Sequence, residues 1–458
     1  MLPAQSLLRL GWKFLLGNEI NAIESPWERY FVMKWHVNFR ALLCYSSLAC
    51  SSLAVTTAIF GSVVGTCVCS AAAVAQDSAD AADVAAAQAR LKEIGSTAKV
   101  TVADGKLTEI VIQDGSNVTA SDVALFGKLK DLTKLQIFNC RDFNDEMVGS
   151  LNGLSKLDTL AVTNSVITDV AVQNIAATFP NLVELDLSSN TNMSSSVLRA
   201  ISGLTKLQRL TFLQNRFNDI STRRLSKLED LRSLDLRGNM EAGDMTLEVL
   251  GELPKLTALK HRSTAVSDYG MEQLCKSKSL NSLLLQDFVI SSESGKHLAT
   301  LDKLNSLEIF RCQGFGTDGV LALKGLKLNR LTLRDLPNVG DPALAVLADL
   351  PALKRLYIHE IASLSDEGLK NLGQAKSLEL LDIWSVPKMS DATIDVIVQL
   401  PNLKELSIRE TGVSEAALEK ILAMPKLQTL TFKNNGTLSA EMTAKVKAKK
   451  WTKLDLGS

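Results

Sequence analysis

The chain has 458 residues, with 50 Lys+Arg against 50 Asp+Glu, 46% hydrophobic and 22% charged. Such a composition excludes a disordered chain, and a length beyond the ~250–300 residues at which one compact core stops growing leaves several domains or an elongated array. Zero net charge excludes a global pull toward nucleic acid or anionic membranes, so a charged ligand must meet a local patch.

From Ala41 to Gln76 no residue is charged, and Arg40 and Asp77 bracket the segment. Lys34, His36 and Arg40 after Met33 resemble the positive n-region of a secretory signal, and Ala73-Val74-Ala75 supplies the small residues of a cleavage site. Residues 1–75 are therefore expected to be an upstream extension and signal peptide, with export starting at Met33 and the mature chain at Gln76. An uncleaved membrane anchor is the rival, since an apolar stretch beyond ~18–20 residues can span a bilayer. Ser, Thr and Gly throughout the stretch weigh against it. Cys44, Cys50, Cys67 and Cys69 lie in this segment. The repeat register described below places Cys140, Cys275 and Cys312 too far apart for the ~4.4–6.8 Å Cα spacing of a disulfide.

Residues 79–97, within a 76–98 capping region, read as a helix with Ala82, Ala86, Ala89, Leu91 and Ile94 as its apolar stripe. A hairpin from Lys99 to Val111, turning at Asp104-Gly105, follows. Such a helix would cover the open end of a repeat core, which has no neighbour there to bury its apolar face.

Self-similarity governs the rest. The pattern L-x-x-L-x-L starts at Leu132, Leu157, Leu182, Leu207, Leu231, Leu256, Leu280, Leu304, Leu328, Leu353, Leu378, Leu403 and Leu427, always 24 or 25 residues apart. Leu107 to Ile112 extends it one unit earlier, and Trp451 to Leu456 begins one more. Within a unit, alternation such as Leu185 and Leu187 signals a strand. A Ser/Thr/Asn-Asp pair follows, as at Thr168-Asp169, Asn218-Asp219, Ser267-Asp268, Thr317-Asp318, Ser365-Asp366 and Ser390-Asp391. These pairs suit helix N-caps, the oxygen accepting an orphan N–H and the carboxylate facing the helix dipole. The amphipathic run after each pair is the helix. Residues 99–458 are thus expected to form an α/β solenoid of about 14 repeats. Lys445, Lys447, Lys449, Lys450 and Lys453 crowd its last strand, where charge discourages edge-to-edge association.

On these residues the chain resembles a leucine-rich-repeat protein from about residue 100 to 458. The signatures Ser365, Asp366, Gly368, Leu369 and Thr317, Asp318, Gly319, Val320 are similar to the cysteine-containing and ribonuclease-inhibitor-like subclasses, including exported bacterial proteins. The resemblance implies a horseshoe with a parallel concave sheet and convex helices. It also implies a ladder of Asn or Cys at the ninth repeat position. Asn190, Asn215, Asn239, Asn435, Cys140 and Cys312 fit. Ser165, Thr264, Phe288, Leu336, Ile361, Val386 and Thr411 depart from it, so the ladder should be broken across much of the C-terminal half.

No catalytic apparatus, cofactor site or metal site is legible. Gly314, Gly316 and Gly319 match G-x-G-x-x-G, but Gly270 and Gly368 recur in the same register, and a 24-residue unit is short of the ~30 residues of a dinucleotide-binding βαβ unit. His261 falls at an inward leucine position and should be either a buried, hydrogen-bonded ring or a local distortion of the strand. No second ligand stands at metal spacing beside it.

The sheet instead offers outward columns at the third, fifth and seventh positions, with neighbouring strands ~4.8 Å apart. Between residues 310 and 433 these columns carry Phe310, Arg330, Arg334, Arg355, Tyr357, His359, Trp384, Arg409 and Lys433. Guanidinium interleaved with aromatic rings is a composition enriched at protein interfaces. Asp382, Glu405 and Glu410 could equally pair with those arginines as a solvated face. Trp384 as an exposed ring favours binding. The expected role is a non-catalytic exported module, in the periplasm, on the cell surface or secreted, that binds a protein or an envelope polymer and not nucleic acid. Any membrane contact would run through an uncleaved N-terminal segment. One alternative is a structural envelope array without a specific ligand. Another is a substrate-recruiting domain similar to F-box repeat proteins, which would need a helical region where the export segment stands.

Overall fold

The computed structural model describes residues 80–95 and 97–457. The expected export segment, its four cysteines and the expected start at Gln76 lie outside the described residues. Each L-x-x-L-x-L run forms a short strand because its fourth and sixth residues point into one continuous core. Leu331, Leu333, Leu356, Ile358, Leu381 and Ile383 are all 0% exposed, each such burial being worth ~1.5–3 kcal/mol. The strands build a single sheet of sixteen in sequence order. The first, Ala98–Ala103, pairs antiparallel with Lys106–Ile112, and every later pair is parallel. Register is kept, with Leu331 opposite Leu356 and Leu381 opposite Leu406, so equivalent residues of successive units stand side by side.

The hairpin turns where expected. Asp104 and Gly105 both take left-handed backbone, φ 51° and 74°, as a two-residue turn matching strand twist requires. Residues 80–94 are helical, but the buried stripe is Val84, Ala87, Leu91 and Ile94. Ala82, Ala86 and Ala89 face outward. Alanine spacing misplaced the face because Ala is compatible with either side of a helix, whereas Val84 and Leu91 are not.

The Ser/Thr/Asn-Asp pairs do more than cap their own helices. Thr168, Asn218, Ser267, Ser365 and Ser390 each accept a first-turn N–H. Thr317 does not; Gly316 is the cap there and Thr317 is already helical. The aspartate reaches forward into the next unit. Asp145 accepts the N–H and hydroxyl of Thr168, Asp244 those of Ser267, Asp341 those of Ser365, Asp366 those of Ser390 and Asp391 those of Ser414. A carboxylate ladder therefore ties successive helix starts together. It also explains the glycine two residues after the aspartate. A Cβ on Gly368 would lie 2.4 Å from Asp341 Oδ1, and one on Gly270 2.3 Å from Asp244 Oδ1. Gly368→Ala is expected to lose about 1–3 kcal/mol by overpacking, against alanine's better helix propensity. Gly149→Ala, whose Cβ would meet only Asn174 Nδ2 at 3.9 Å, should lose nothing measurable, and urea unfolding of both checks this.

The glycines of the rejected G-x-G-x-x-G serve packing too. A Cβ on Gly314 would come within 2.5 Å of the Ile290 carbonyl oxygen, and one on Gly319 within 2.8 Å of the Phe315 ring.

Inside the turns, Asn190 donates to the carbonyls of Val162 and Leu187 at 2.8 and 2.9 Å and accepts from Ser165. Asn215 and Asn239 continue the ladder. Farther along, Phe288, Leu336, Ile361 and Val386 fill the same buried place, until Asn435 resumes it. The unit starting at Leu256 departs. His261 is fully buried and its Nε2 donates to the Ala242 carbonyl at 2.8 Å. Ser263 turns inward and donates to Met240 O at 2.8 Å, which leaves Thr264 exposed. Thr264 is thus not the inward ninth residue; Ser263 takes its place, and it lacks the left-handed backbone that its eighth-position counterparts Gly238 and Asp287 adopt.

Cys140, Cys275 and Cys312 are buried free thiols. At the last units, two of the five crowded lysines are occupied. Lys449 donates to the carbonyls of Leu422 and Met424, both at 2.9 Å, and Lys445 pairs with Glu419 and Glu441.

Candidate functional site

The strands Ser306–Phe310, Arg330–Arg334, Arg355–His359, Leu380–Val386, Glu405–Thr411 and Thr429–Lys433 carry the candidate residues. Parallel register sets Phe310, Arg334, His359, Trp384, Arg409 and Lys433 in one row. Arg330 stands opposite Arg355 in a second row, and Tyr357 opposite Asp382 in a third. All nine sequence-derived residues therefore lie on one face, over six consecutive strands.

The long side chains lie across the rows. The Arg334 guanidinium sits 4.3 Å from the Phe310 ring centroid and 5.2 Å from that of Trp384. Arg409 lies 5.2 Å from Trp384, so the indole has a guanidinium from each side. Arg330 covers Tyr357 at 4.6 Å. His359 packs edge-on between Tyr357 and Trp384, with centroids 5.9 and 5.7 Å away. Each cation–π contact is worth ~0.5–1 kcal/mol when exposed and ~2 when desolvated. The expectation of an exposed Trp384 is corrected. The ring is half-buried, because strand spacing lets neighbouring arginines reach over it.

Acids interleave with the cations, though not all those expected. Arg409 donates to Asp382 at 3.0 Å, and His359 Nε2 lies 3.3 Å from the same carboxylate, outside hydrogen-bond alignment. Burial would raise the Asp382 carboxyl, but His359 and Arg409 outweigh it and hold it below the usual carboxylate range. Arg334 donates to Glu360 at 2.6 Å, and Arg330 lies 3.8 Å from Glu308. Lys433 pairs with Asp455 at 2.6 Å. Glu405 and Glu410 make no ion pair among the described residues, and neither does Arg355.

Glu308, Glu360 and the Arg311–Asp287 pair escaped the sequence reading. Glu360, Arg311 and Asp287 occupy the eighth position, where left-handed backbone at φ 55°, 54° and 61° brings a loop residue back against the sheet face. Charges at the eighth position of consecutive units were the available signal. Beside the row lies an open depression of about 540 Å³, lined by Tyr357, Asp382, Ser407, Arg409, Lys433 and Asp455.

Among the described residues no group of three His, Cys, Asp or Glu is placed to hold a metal ion. Burial pushes the thiols up, Cys140 to about 11 and Cys275 and Cys312 to about 12, so none is a thiolate nucleophile at neutral pH. No helix among the described residues is long and apolar enough to cross a membrane.

No family model matches the sequence, and no curated protein matches it. Solved structures do. A chain from the yeast Rad7 and Elc1 complex is 18% identical over 80% of this chain and 96% of its own, with a TM-score of 0.54. An internalin of Listeria monocytogenes is 21% identical over 74% of this chain and 90% of its own, TM-score 0.48. A leucine-rich-repeat protein of Leptospira interrogans is 17% identical over 74% and 87%, TM-score 0.43. Repeat length, sheet topology and turn ladder together make the fold of this chain a leucine-rich-repeat solenoid.

Proposed function

We propose that the outward sheet face between Phe310 and Lys433 binds a protein partner without catalysis, and that the chain works outside the cytoplasm after export through residues 33–75. The observation that carries the binding reading is the row of arginines layered on Phe310, Tyr357 and Trp384. It gathers the residue types that dominate binding energy at interfaces, fixed in place before any partner arrives. One protein sharing this fold is known from a Rad7 and Elc1 complex, in keeping with a partner-binding role. The charge-free segment from Ala41 to Gln76 supports export.

The Trp384→Ala, Arg409→Ala double variant is expected to lose capture of protein partners from an envelope extract by tenfold or more, roughly the effect of one interface hot spot, while its melting temperature falls only a few degrees. A structural array is the second reading, favoured by the pairs Arg334–Glu360 and Arg409–Asp382. Unchanged capture would select it, and loss of an envelope polymer instead of a protein would change the partner class. Export predicts an N-terminus at Gln76 on protein recovered outside the cytoplasm; an intact N-terminus in the cytosol would remove that assignment.

A further inference from the structure

Hydrogen-bonding capacity on the candidate face is lopsided. Arg330 and Arg355 donate no side-chain hydrogen bond among the described residues, and Arg334 uses only Nε, toward Glu360. A guanidinium carries five N–H donors and no acceptor. Four buried side-chain polar atoms lack a hydrogen-bond partner among the described residues, and three of them, Thr332 Oγ1, His359 Nε2 and Arg409 Nε, belong to this patch. Unused donors are thus gathered on Arg330, Arg334 and Arg355, whereas Glu405 and Glu410, carboxylates without an ion pair among the described residues, belong to the strand Glu405–Thr411, two strands beyond that of Arg355.

Those donors are also held still. Arg330 lies over Tyr357, and Arg334 lies between Phe310 and Trp384, so the side-chain entropy usually lost on binding is partly lost already. Arg355 faces Arg330 across adjacent strands, a like-charge pair that is unfavourable until an anion sits between.

We infer that Arg330, Arg334 and Arg355 form a receptor for side-chain carboxylates of an acidic peptide segment on the protein partner. This rests on the sheet face being the docking wall, as proposed above. Charge spacing favours discrete carboxylates over a uniform polyanion. Glu308, Glu360 and Asp382 stand among the arginines at 3.8, 2.6 and 3.0 Å and would repel a continuous string of phosphates or sulfates. A peptide can instead place separate acids on the unused guanidinium forks, where paired N–H···O bonds are strong and directional.

The test is fluorescence anisotropy with the full chain and three probes: a labelled glutamate-rich peptide, its glutamine counterpart and a sulfated polysaccharide. The glutamate peptide should bind at least about tenfold tighter than the glutamine one, and tighter at low salt. Arg330→Gln with Arg355→Gln should weaken it about tenfold or more while the melting temperature falls by no more than a few degrees, since Arg355 is exposed and Arg330 gives up only its half-buried contact with Tyr357. Arg334→Lys, which keeps the charge but not the fork, should weaken it as well. Equal binding of the two peptides, an unaffected double variant, or tighter binding of the polysaccharide through the same arginines would overturn the inference. If Trp384 and Arg409 still govern capture of a protein while the glutamate peptide is ignored, the carboxylate receptor falls and the docking wall stands. If neither set of variants changes binding, both fall.

Discussion

Asn239→Ala is expected to lower the unfolding free energy by about 3–5 kcal/mol, the largest single-residue effect outside the apolar core. Asn239 is 0% exposed and serves two units at once. Its amide donates to Phe212 O at 2.6 Å and Leu236 O at 2.9 Å, and its oxygen accepts the N–H groups of Asn215 and Phe217. Alanine leaves three main-chain groups, Phe212 O and the N–H groups of Asn215 and Phe217, buried without a partner, each costing ~1–3 kcal/mol before relaxation, while Leu236 O keeps the main-chain N–H of residue 239 at 3.2 Å. Asn239→Cys should lose less. Cys312 already fills the equivalent place with its thiol 3.9 Å from Leu285 O, so a weak donor is tolerated there. Asn435→Ala, at a half-buried position near the chain end, should cost about 1 kcal/mol. Urea unfolding ranks the three, and hydrogen exchange should place the loss around residues 187–240, because solenoid units couple mainly to their neighbours. An Asn239→Ala protein as stable as wild type would show that the ladder contributes nothing.

Acidification should destabilise the protein in two stages, the first owed to one histidine. Burial holds the His261 imidazole below its usual pKa, and its Nδ1 has no partner to receive a proton's charge. The folded state therefore resists protonation that the unfolded chain accepts near pH ~6.5. Stability is full above that value and falls as pH drops below it, by at most about 1.4 kcal/mol per pH unit for one proton. His261→Leu should flatten the profile between about pH 6.5 and 5. The second stage belongs to the carboxylate ladder. Burial pushes Asp169, Asp268 and Asp366 up, but hydrogen bonds from Ser194, Ser291 and Ser390 prevail and hold all three below the usual range. Their contribution is complete above about pH 4 and is lost as pH falls through their depressed values. Asp186 works the other way: burial raises it, so it returns some stability as pH falls from its raised value toward about pH 4, before the second stage begins. Chemical denaturation across pH reads both. A wild-type profile that stays flat from pH 7 to 5 would contradict the first.

Much of the fold was legible because a repeat prints the same instruction many times. Thirteen starts in strict register leave the strand positions and inward leucines little freedom, and the pairing between units follows. The capping helix appears once, has no such repetition, and its stripe was misread by alanine spacing. The aspartates were correctly seen at helix starts, yet their second role was hidden. A pattern within one unit does not show that Asp366 bonds Ser390 in the next, although the glycine two places later reflects that contact.

The candidate residues were gathered by the same register, since columns follow once strands pair in order. What the columns could not reveal is how side chains recline. Trp384 counted as exposed by position, and only the packed structure shows Arg334 and Arg409 folded over it. Nor did alternation along a strand identify Glu360, whose left-handed backbone turns it toward Arg334.

The sequence by itself determined the repeat, the inward leucines, the strand register and which residues share the sheet face. These depend on short-range periodicity, which a linear chain displays in full. Tertiary structure alone decided the forward reach of the aspartates, the replacement of Thr264 by Ser263, and the pairing that leaves some guanidinium groups satisfied and others open. Those outcomes depend on where side chains from different units meet, across 24 or 25 residues of intervening chain, and distance along a sequence carries no record of that meeting.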